Sequence, residues 1–185
     1  MNLNKFKLLH LLTLLIVSCF FFSFTGLDLH KSISSFDSEN KAIAKINFKK
    51  FQGKWYSLTS IPTALDKKWR KTVENYTLKE GYFEVFTTYY KTGNTEEKSI
   101  KSKLFFYDGL PDGEMKAQFL WPFKIGYRVI ELPDDYSYVV IGHPDKKYLF
   151  IMARKPEIDK KLMSAIVDRC KQKGYEVDKL VSQEH

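Results

Sequence analysis

From Phe48 onward, apolar and polar residues alternate in short runs divided by turn residues, the two-residue period of strands with one buried face. The pattern predicts strands over residues 53–60, 72–78, 82–90, 99–107, 114–120, 127–132, 136–142 and 148–154. Lys79-Glu80-Gly81 and Lys91-Thr92-Gly93-Asn94 read as hairpin turns, and residues 108–113 as a longer one. Short strands in hairpin succession suggest a sandwich or a barrel. The favoured arrangement is all-β: an eight-stranded antiparallel up-and-down barrel, wide enough for one small ligand. One connection, residues 61–71, is longer and holds Pro62, Leu65 and Trp69; it reads as a lid or as a loop packed on the barrel rim. After Pro156 the period becomes helical, with Leu162, Met163, Ile166, Val167 and Cys170 on one stripe, Asp159 placed to cap and Gly174 to stop. This predicts one amphipathic C-terminal α-helix packed outside the barrel. Residues 175–181 read as a short extended piece that pairs again with the sheet.

The first residues follow a different pattern. Residues 1–7 are short and basic, and residues 8–24 are almost entirely apolar, the order of a secretory signal. Within that run, Ile16-Val17-Ser18-Cys19 resembles the bacterial lipobox, which implies lipidation at Cys19 and an N-terminal lipid anchor in the membrane. The aromatic run Phe20-Phe21-Phe22 keeps two other readings open, cleavage near residues 23–26 or an uncleaved anchor. All three export the domain. The chain thus divides into a signal over 1–24, a polar tether over 25–47 with a short helix around 39–46, and a folded domain over 48–185.

Aromatic residues make up 16% of the chain, which agrees with a pleated, half-buried surface. The net charge is +8, of which Lys5 and Lys7 in the signal contribute two. No Arg-rich helix, long Lys run or zinc-ligand spacing accompanies it, so solvation or anionic headgroups account for it better than nucleic acid. The folded part carries one thiol, Cys170, which reads as a small buried hydrophobe on the helix stripe. His10, His30, His143 and His185 are scattered, and no Gly-rich phosphate loop appears. A non-enzymatic domain without metal or other cofactor is expected.

The first strand opens Phe51-Gln52-Gly53-Lys54-Trp55-Tyr56, and the last ends at Ala153-Arg154-Lys155-Pro156, just before the helix. A Gly-x-Trp-Tyr start and an Arg about a hundred residues later resemble the lipocalin family. Asn75-Tyr76-Thr77-Leu78, Trp121-Pro122-Phe123-Lys124-Ile125-Gly126-Tyr127 and Gly142-His143-Pro144-Asp145 are similar to its bacterial branch, outer-membrane lipoproteins related to apolipoprotein D. Glu74 departs from the small residue of that branch. The resemblance implies a fatty acid or lysophospholipid held in the barrel, for storage or transport at the bacterial envelope. Such a protein is anchored in the outer membrane facing the periplasm, or free in the periplasm, and a homodimer is compatible with it. The alternative is an isomerase-like enzyme acting on a lipid or isoprenoid held in the barrel.

In physical terms Trp55 fills the narrow base, Arg154 stacks on it, and Gly53 lets the chain pass beneath. If Trp55 and Arg154 both point inward, alternation fixes the wall. Ser57 and Thr59 then face the cavity from the first strand, and Glu74, Tyr76 and Leu78 from the second. Phe83, Val85, Thr87 and Tyr89 face it from the third. Tyr127, Val129, Val139 and Ile141 follow, and Tyr148, Phe150 and Met152 come from the eighth. Trp69 joins them from the long connection. Glu74 either faces inward, where it needs a partner or a proton, or faces outward beside Arg128, Lys101 or Arg70.

Overall fold

The computed structural model describes residues 40–185; the signal, Cys19 and most of the tether lie outside them. The alternation becomes eight paired strands: β1 (Gly53–Ile61), β2 (Trp69–Lys79), β3 (Tyr82–Lys91), β4 (Glu97–Phe105), β5 (Glu114–Leu120), β6 (Phe123–Glu131), β7 (Tyr138–Gly142) and β8 (Leu149–Ala153). Each pairs antiparallel with its sequence neighbour. β1 also pairs with β8, Ser57 opposite Met152, so the sheet closes into a barrel. β1 meets β2 only along its first half, from Gly53↔Tyr76 to Tyr56↔Val73. Further up, a short β9 (Val181–Ser182) pairs with Thr59 and Ser60 and takes the place β2 has left.

Some boundaries differ from the sequence expectation. β2 begins at Trp69 rather than residue 72, so the long connection shrinks to residues 62–68; a register shift between Arg70 and Val73 hid the pairing. β6 begins at Phe123 rather than residue 127, because the Trp121-Pro122 turn joins it tightly to β5. The C-terminal piece is a 3₁₀ turn (Val177–Lys179) followed by β9.

Residues 40–47 are not free tether. Ile43 N–H donates to the Val129 carbonyl at 2.9 Å, and Gly113 N–H donates to the Ile43 carbonyl at 2.9 Å. An added Cβ on Gly113 would lie 2.8 Å from the Ile43 nitrogen, so only glycine admits this strap. Asn40 is buried; its amide donates to the carbonyls of His143 and Pro144 and accepts from the Tyr175 hydroxyl at 2.8 Å.

The strap leads into a one-turn helix, α1 (Phe48–Phe51), which runs beneath the barrel. Asn47 caps it by accepting from Lys50 N–H. Phe51 and Trp55 are fully buried, with ring centroids 5.4 Å apart. The Trp55 indole donates to the Phe51 carbonyl at 2.8 Å. The Arg154 guanidinium lies 3.7 Å from the Trp55 ring centre and donates to the carbonyls of Lys54, Lys50 and Phe51. Gly53, at φ +95°, turns the chain under this stack.

A second helix, α2 (Lys160–Gln172), lies outside, as its apolar stripe requires. Asp159 caps its first turn, and Gly174 follows its end at positive φ. Ile166 and Cys170 are buried among Leu58, Val140, Leu149 and Ile151 on the outer face of β1, β7 and β8. Burial pushes the Cys170 thiol up to about 12, which leaves it protonated and unreactive. Arg169 pins the helix to the barrel through Glu131, with Nη2–Oε1 at 2.5 Å and Nε–Oε2 at 3.1 Å.

Candidate functional site

Above Trp55 the barrel holds a cavity of about 840 Å³, counting its open mouth. Its setting, concave and mostly apolar with a few polar groups, is that of a small-molecule site. Ten of the residues expected in its wall line it: Ser57, Trp69, Glu74, Tyr76, Val85, Tyr127, Ile141, Tyr148, Phe150 and Met152. Alternation along β2, β6, β7 and β8 placed most of them.

Four others do not. Thr59 points away, because a bulge between Ser57 and Thr59 inverts the strand. It pairs with Ile151 of the outer cluster and donates to the Val181 carbonyl at 3.1 Å. Phe83 and Val139 are fully buried in the base cluster with Trp55, beneath the cavity floor. Tyr89 stands behind the wall, stacked on Trp69 with ring centroids 3.7 Å apart and planes within 9°. Leu78, Thr87 and Val129 are likewise not part of the lining.

Glu74 faces inward, which resolves the sequence ambiguity, and none of its candidate partners reaches it. Arg128 pairs with Glu114 at 2.6 Å, Arg70 donates to the Asn94 carbonyl, and Lys101 is exposed. Glu74 instead accepts from the Tyr76 hydroxyl, which lies 3.0 Å from the Tyr127 hydroxyl. Burial pushes the Glu74 carboxyl up to about 7, against the lowering effect of the Tyr76 bond. Burial also holds the Tyr76 and Tyr127 hydroxyls well above their ordinary value, so both stay protonated.

The sequence reading missed several lining residues. Asp66 and Thr63 come from the 62–68 connection, Ser102 and Leu104 from β4, Ala117 and Phe119 from β5, and Ile125 from β6. Gln183 follows β9. Lys101 and Lys103 flanking Ser102 were the signal in β4, since exposed lysines mark the opposite face. Asp66 is buried; its Oδ1 accepts from the Thr63 N–H at 2.7 Å and from the Thr63 hydroxyl, and burial raises its carboxyl. Gln183 spans the gap above β2, accepting from Thr72 N–H at 3.0 Å. Its own N–H donates to the Leu58 carbonyl at 2.9 Å.

Three buried polar atoms of the lining have no hydrogen-bond partner among the described residues: Ser57 Oγ, Asp66 Oδ2 and Thr72 Oγ1. At the mouth, the β5–β6 hairpin carries Leu120, Trp121 and Phe123 outward, 70%, 81% and 70% exposed. Phe119 and Ile125, on the same hairpin, line the cavity, so an apolar surface runs from the tip into the barrel. His143 sits in the turn between β7 and β8. It is half-buried, accepts from Asp145 N–H at 3.0 Å, and burial lowers its pKa.

A closed eight-stranded barrel on a Trp–Arg base, with one external helix and a ring-lined cavity, is the architecture of a lipocalin. Residues 46–185 match the family described as Lipocalin-like domain, and the chain belongs to the lipocalins, which bind small hydrophobic ligands and are generally not enzymes. Among its relatives are outer membrane lipoprotein Blc of Vibrio cholerae serotype O1, 24% identical over 143 residues (76% of this chain, 84% of that protein), and Blc of Citrobacter freundii, 26% identical over 134 residues (72% and 76%). Temperature-induced lipocalin-1 of Arabidopsis thaliana is 24% identical over 159 residues (77% and 81%). Insecticyanin of the tobacco hornworm Manduca sexta shares the fold with a TM-score of 0.64 at 15% identity, covering 78% of this chain and 84% of that one. Lobster apocrustacyanin A1 shares it at 0.63 and 14% identity, covering 75% and 79%.

Proposed function

We propose that this protein binds single-chain lipids, fatty acids or lysophospholipids, in its barrel and stores or carries them at the bacterial cell envelope. The cavity carries the reading: it is closed below by Trp55, walled by Val85, Leu104, Ile141, Phe150 and Met152, and continuous at its mouth with an exposed apolar hairpin. Apolar surface of that kind marks a place where another apolar phase is met. The resemblance of residues 16–19 to a lipobox, and relatives named as outer membrane lipoproteins, support an anchor at Cys19. That anchor would hold the protein in the outer membrane, facing the periplasm.

Native mass spectrometry of the protein extracted from its own cells tests this, since bound lipid and N-terminal acylation both add mass. A retained fatty acid or lysophospholipid is expected. Protein that neither retains nor takes up either class overturns the reading. The hairpin supplies a second check. In anchor-free protein, Trp121→Ser with Phe123→Ser should abolish co-sedimentation with lipid vesicles while changing stability by less than about 0.5 kcal/mol.

Glu74, a cavity carboxyl that burial raises to about 7, favours a second reading, an isomerase-like enzyme. Turnover of a bound lipid or isoprenoid that is lost in Glu74→Gln would mark that reading.

A further inference from the structure

The cavity wall holds two carboxyl groups, Glu74 and Asp66, and no Lys, Arg or His. Neither carboxyl has an ion-pair partner among the described residues. The groups set around Glu74 are rings and hydroxyls: Tyr76 on its own strand, Trp55 opposite on β1, Thr87 opposite on β3, and Tyr127 from β6. Asp66 and Tyr148 act on the same region through the field of the cavity. Arg154, the nearest cation below, lies on the Trp55 ring and is spent on three backbone carbonyls.

The unpartnered atoms lie on the same side. Ser57, Thr72 and Asp66 are 2%, 5% and 8% exposed, and each turns an unpaired oxygen into the lining. Ser57 is on β1, Thr72 on β2, and Asp66 in the connection between those strands. Val85, Leu104, Ala117, Ile141, Phe150 and Met152 line the cavity from β3, β4, β5, β7 and β8. The cavity is therefore amphipathic across its width. Buried polar atoms are normally paired, so two open hydroxyls, each able to donate or accept, and an open carboxyl oxygen on the side of Glu74 call for a polar group. A carboxylate placed there meets like charge. An ammonium group finds two carboxyl groups to pair with and hydroxyl oxygens able to accept from it.

We propose that the β1–β2 wall is a headgroup subsite for amphiphiles whose polar end is a protonated amine, with Glu74 as its counter-ion and Asp66, Ser57 and Thr72 as further acceptors. The inference rests on the lipid-carrier reading and narrows it, because it disfavours a free fatty acid with its carboxylate inside the barrel. An amine held there keeps Glu74 ionised, so its affinity grows as Glu74 loses its proton. A bound carboxylate has the opposite linkage.

The test uses dodecylamine, dodecanol and lauric acid as probes, titrated by displacement of a fluorescent fatty-chain dye from about pH 6 to about pH 8. Dodecylamine should tighten as pH rises and laurate should weaken, and at about pH 8 the amine should bind at least roughly tenfold tighter. Glu74→Gln should cost the amine roughly tenfold, flatten its pH profile and leave dodecanol within about twofold. Asp66→Asn should weaken the amine by a smaller factor, a second readout should the first variant fold poorly. Equal binding of amine and acid across the range, or an amine profile unchanged in Glu74→Gln, overturns the subsite while the carrier reading stands. Failure of all three probes overturns both.

Discussion

The base stack and the cavity wall treat their polar groups in opposite ways. At the base the Trp55 indole is bonded to a carbonyl, Arg154 satisfies three more and covers the ring, and Phe51 fills what is left. On the cavity wall, Ser57, Asp66 and Thr72 keep open oxygens, and Glu74, directly across from Trp55, sits without a cation. A buried polar group without a partner costs stability, so the cavity wall gives up folding free energy that the base stack does not. The contrast separates structural from binding work. Residues that close the barrel are finished by the chain itself, and residues that face the cavity are left to be completed.

Breaking the base should have the largest effect. Trp55→Ala opens a cavity in the best-packed part of the molecule and should cost about 3–5 kcal/mol, read as the loss in urea-unfolding free energy. Arg154→Met keeps the stem but strips the stacked charge and strands three carbonyls. About 2–3 kcal/mol should be lost, and thermal melting would show it; an unchanged melt would put the guanidinium outside the structural base.

The cavity wall should respond with the opposite sign. Glu74 binds its proton more tightly in the folded barrel, near pH 7, than at its ordinary value of 4.5. Stability from this group is thus whole below about pH 4.5 and is lost as pH rises through about 7. Glu74→Gln should therefore stabilise the protein at pH 8 by on the order of 2 kcal/mol, with the gain vanishing in acid. Parallel denaturation curves at the two pH values would reveal a constant offset if the carboxyl were ordinary. Thr72→Val removes an unpaired hydroxyl at nearly constant shape and should stabilise by up to about 1 kcal/mol. A loss of that size instead would mean that the hydroxyl is satisfied in solution.

Much of this contrast was legible in the sequence, and the exceptions have physical causes. Trp55, Gly53 and Arg154 declared the base, because a large ring at a strand start and an Arg before the helix leave few other roles. Strict alternation then gave the correct face for Tyr76, Val85, Tyr127, Ile141 and Met152. It failed at Thr59, where one bulged residue reverses every following side chain. It also could not place residues 40–47, whose hold on the barrel is made by backbone bonds, one buried Asn40 and two core contacts, Ile43 and Ile46, too few to show a strand or helix period. Asp66 and Gln183 reach the cavity from a connection and from beyond β9, positions where no strand period reports direction. Those two residues belong to the half of the molecule that the chain leaves open.

The chain has three tryptophans, and the fold distributes them one to each region: Trp55 sealed in the base, Trp69 face to face with Tyr89 in the cavity wall, and Trp121 in solvent at the hairpin tip. The protein therefore carries its own optical reporters. Double Trp-to-Phe exchanges, each leaving one tryptophan, would give emission that follows, in turn, melting of the base, occupancy of the barrel and arrival at a lipid surface, without any attached dye.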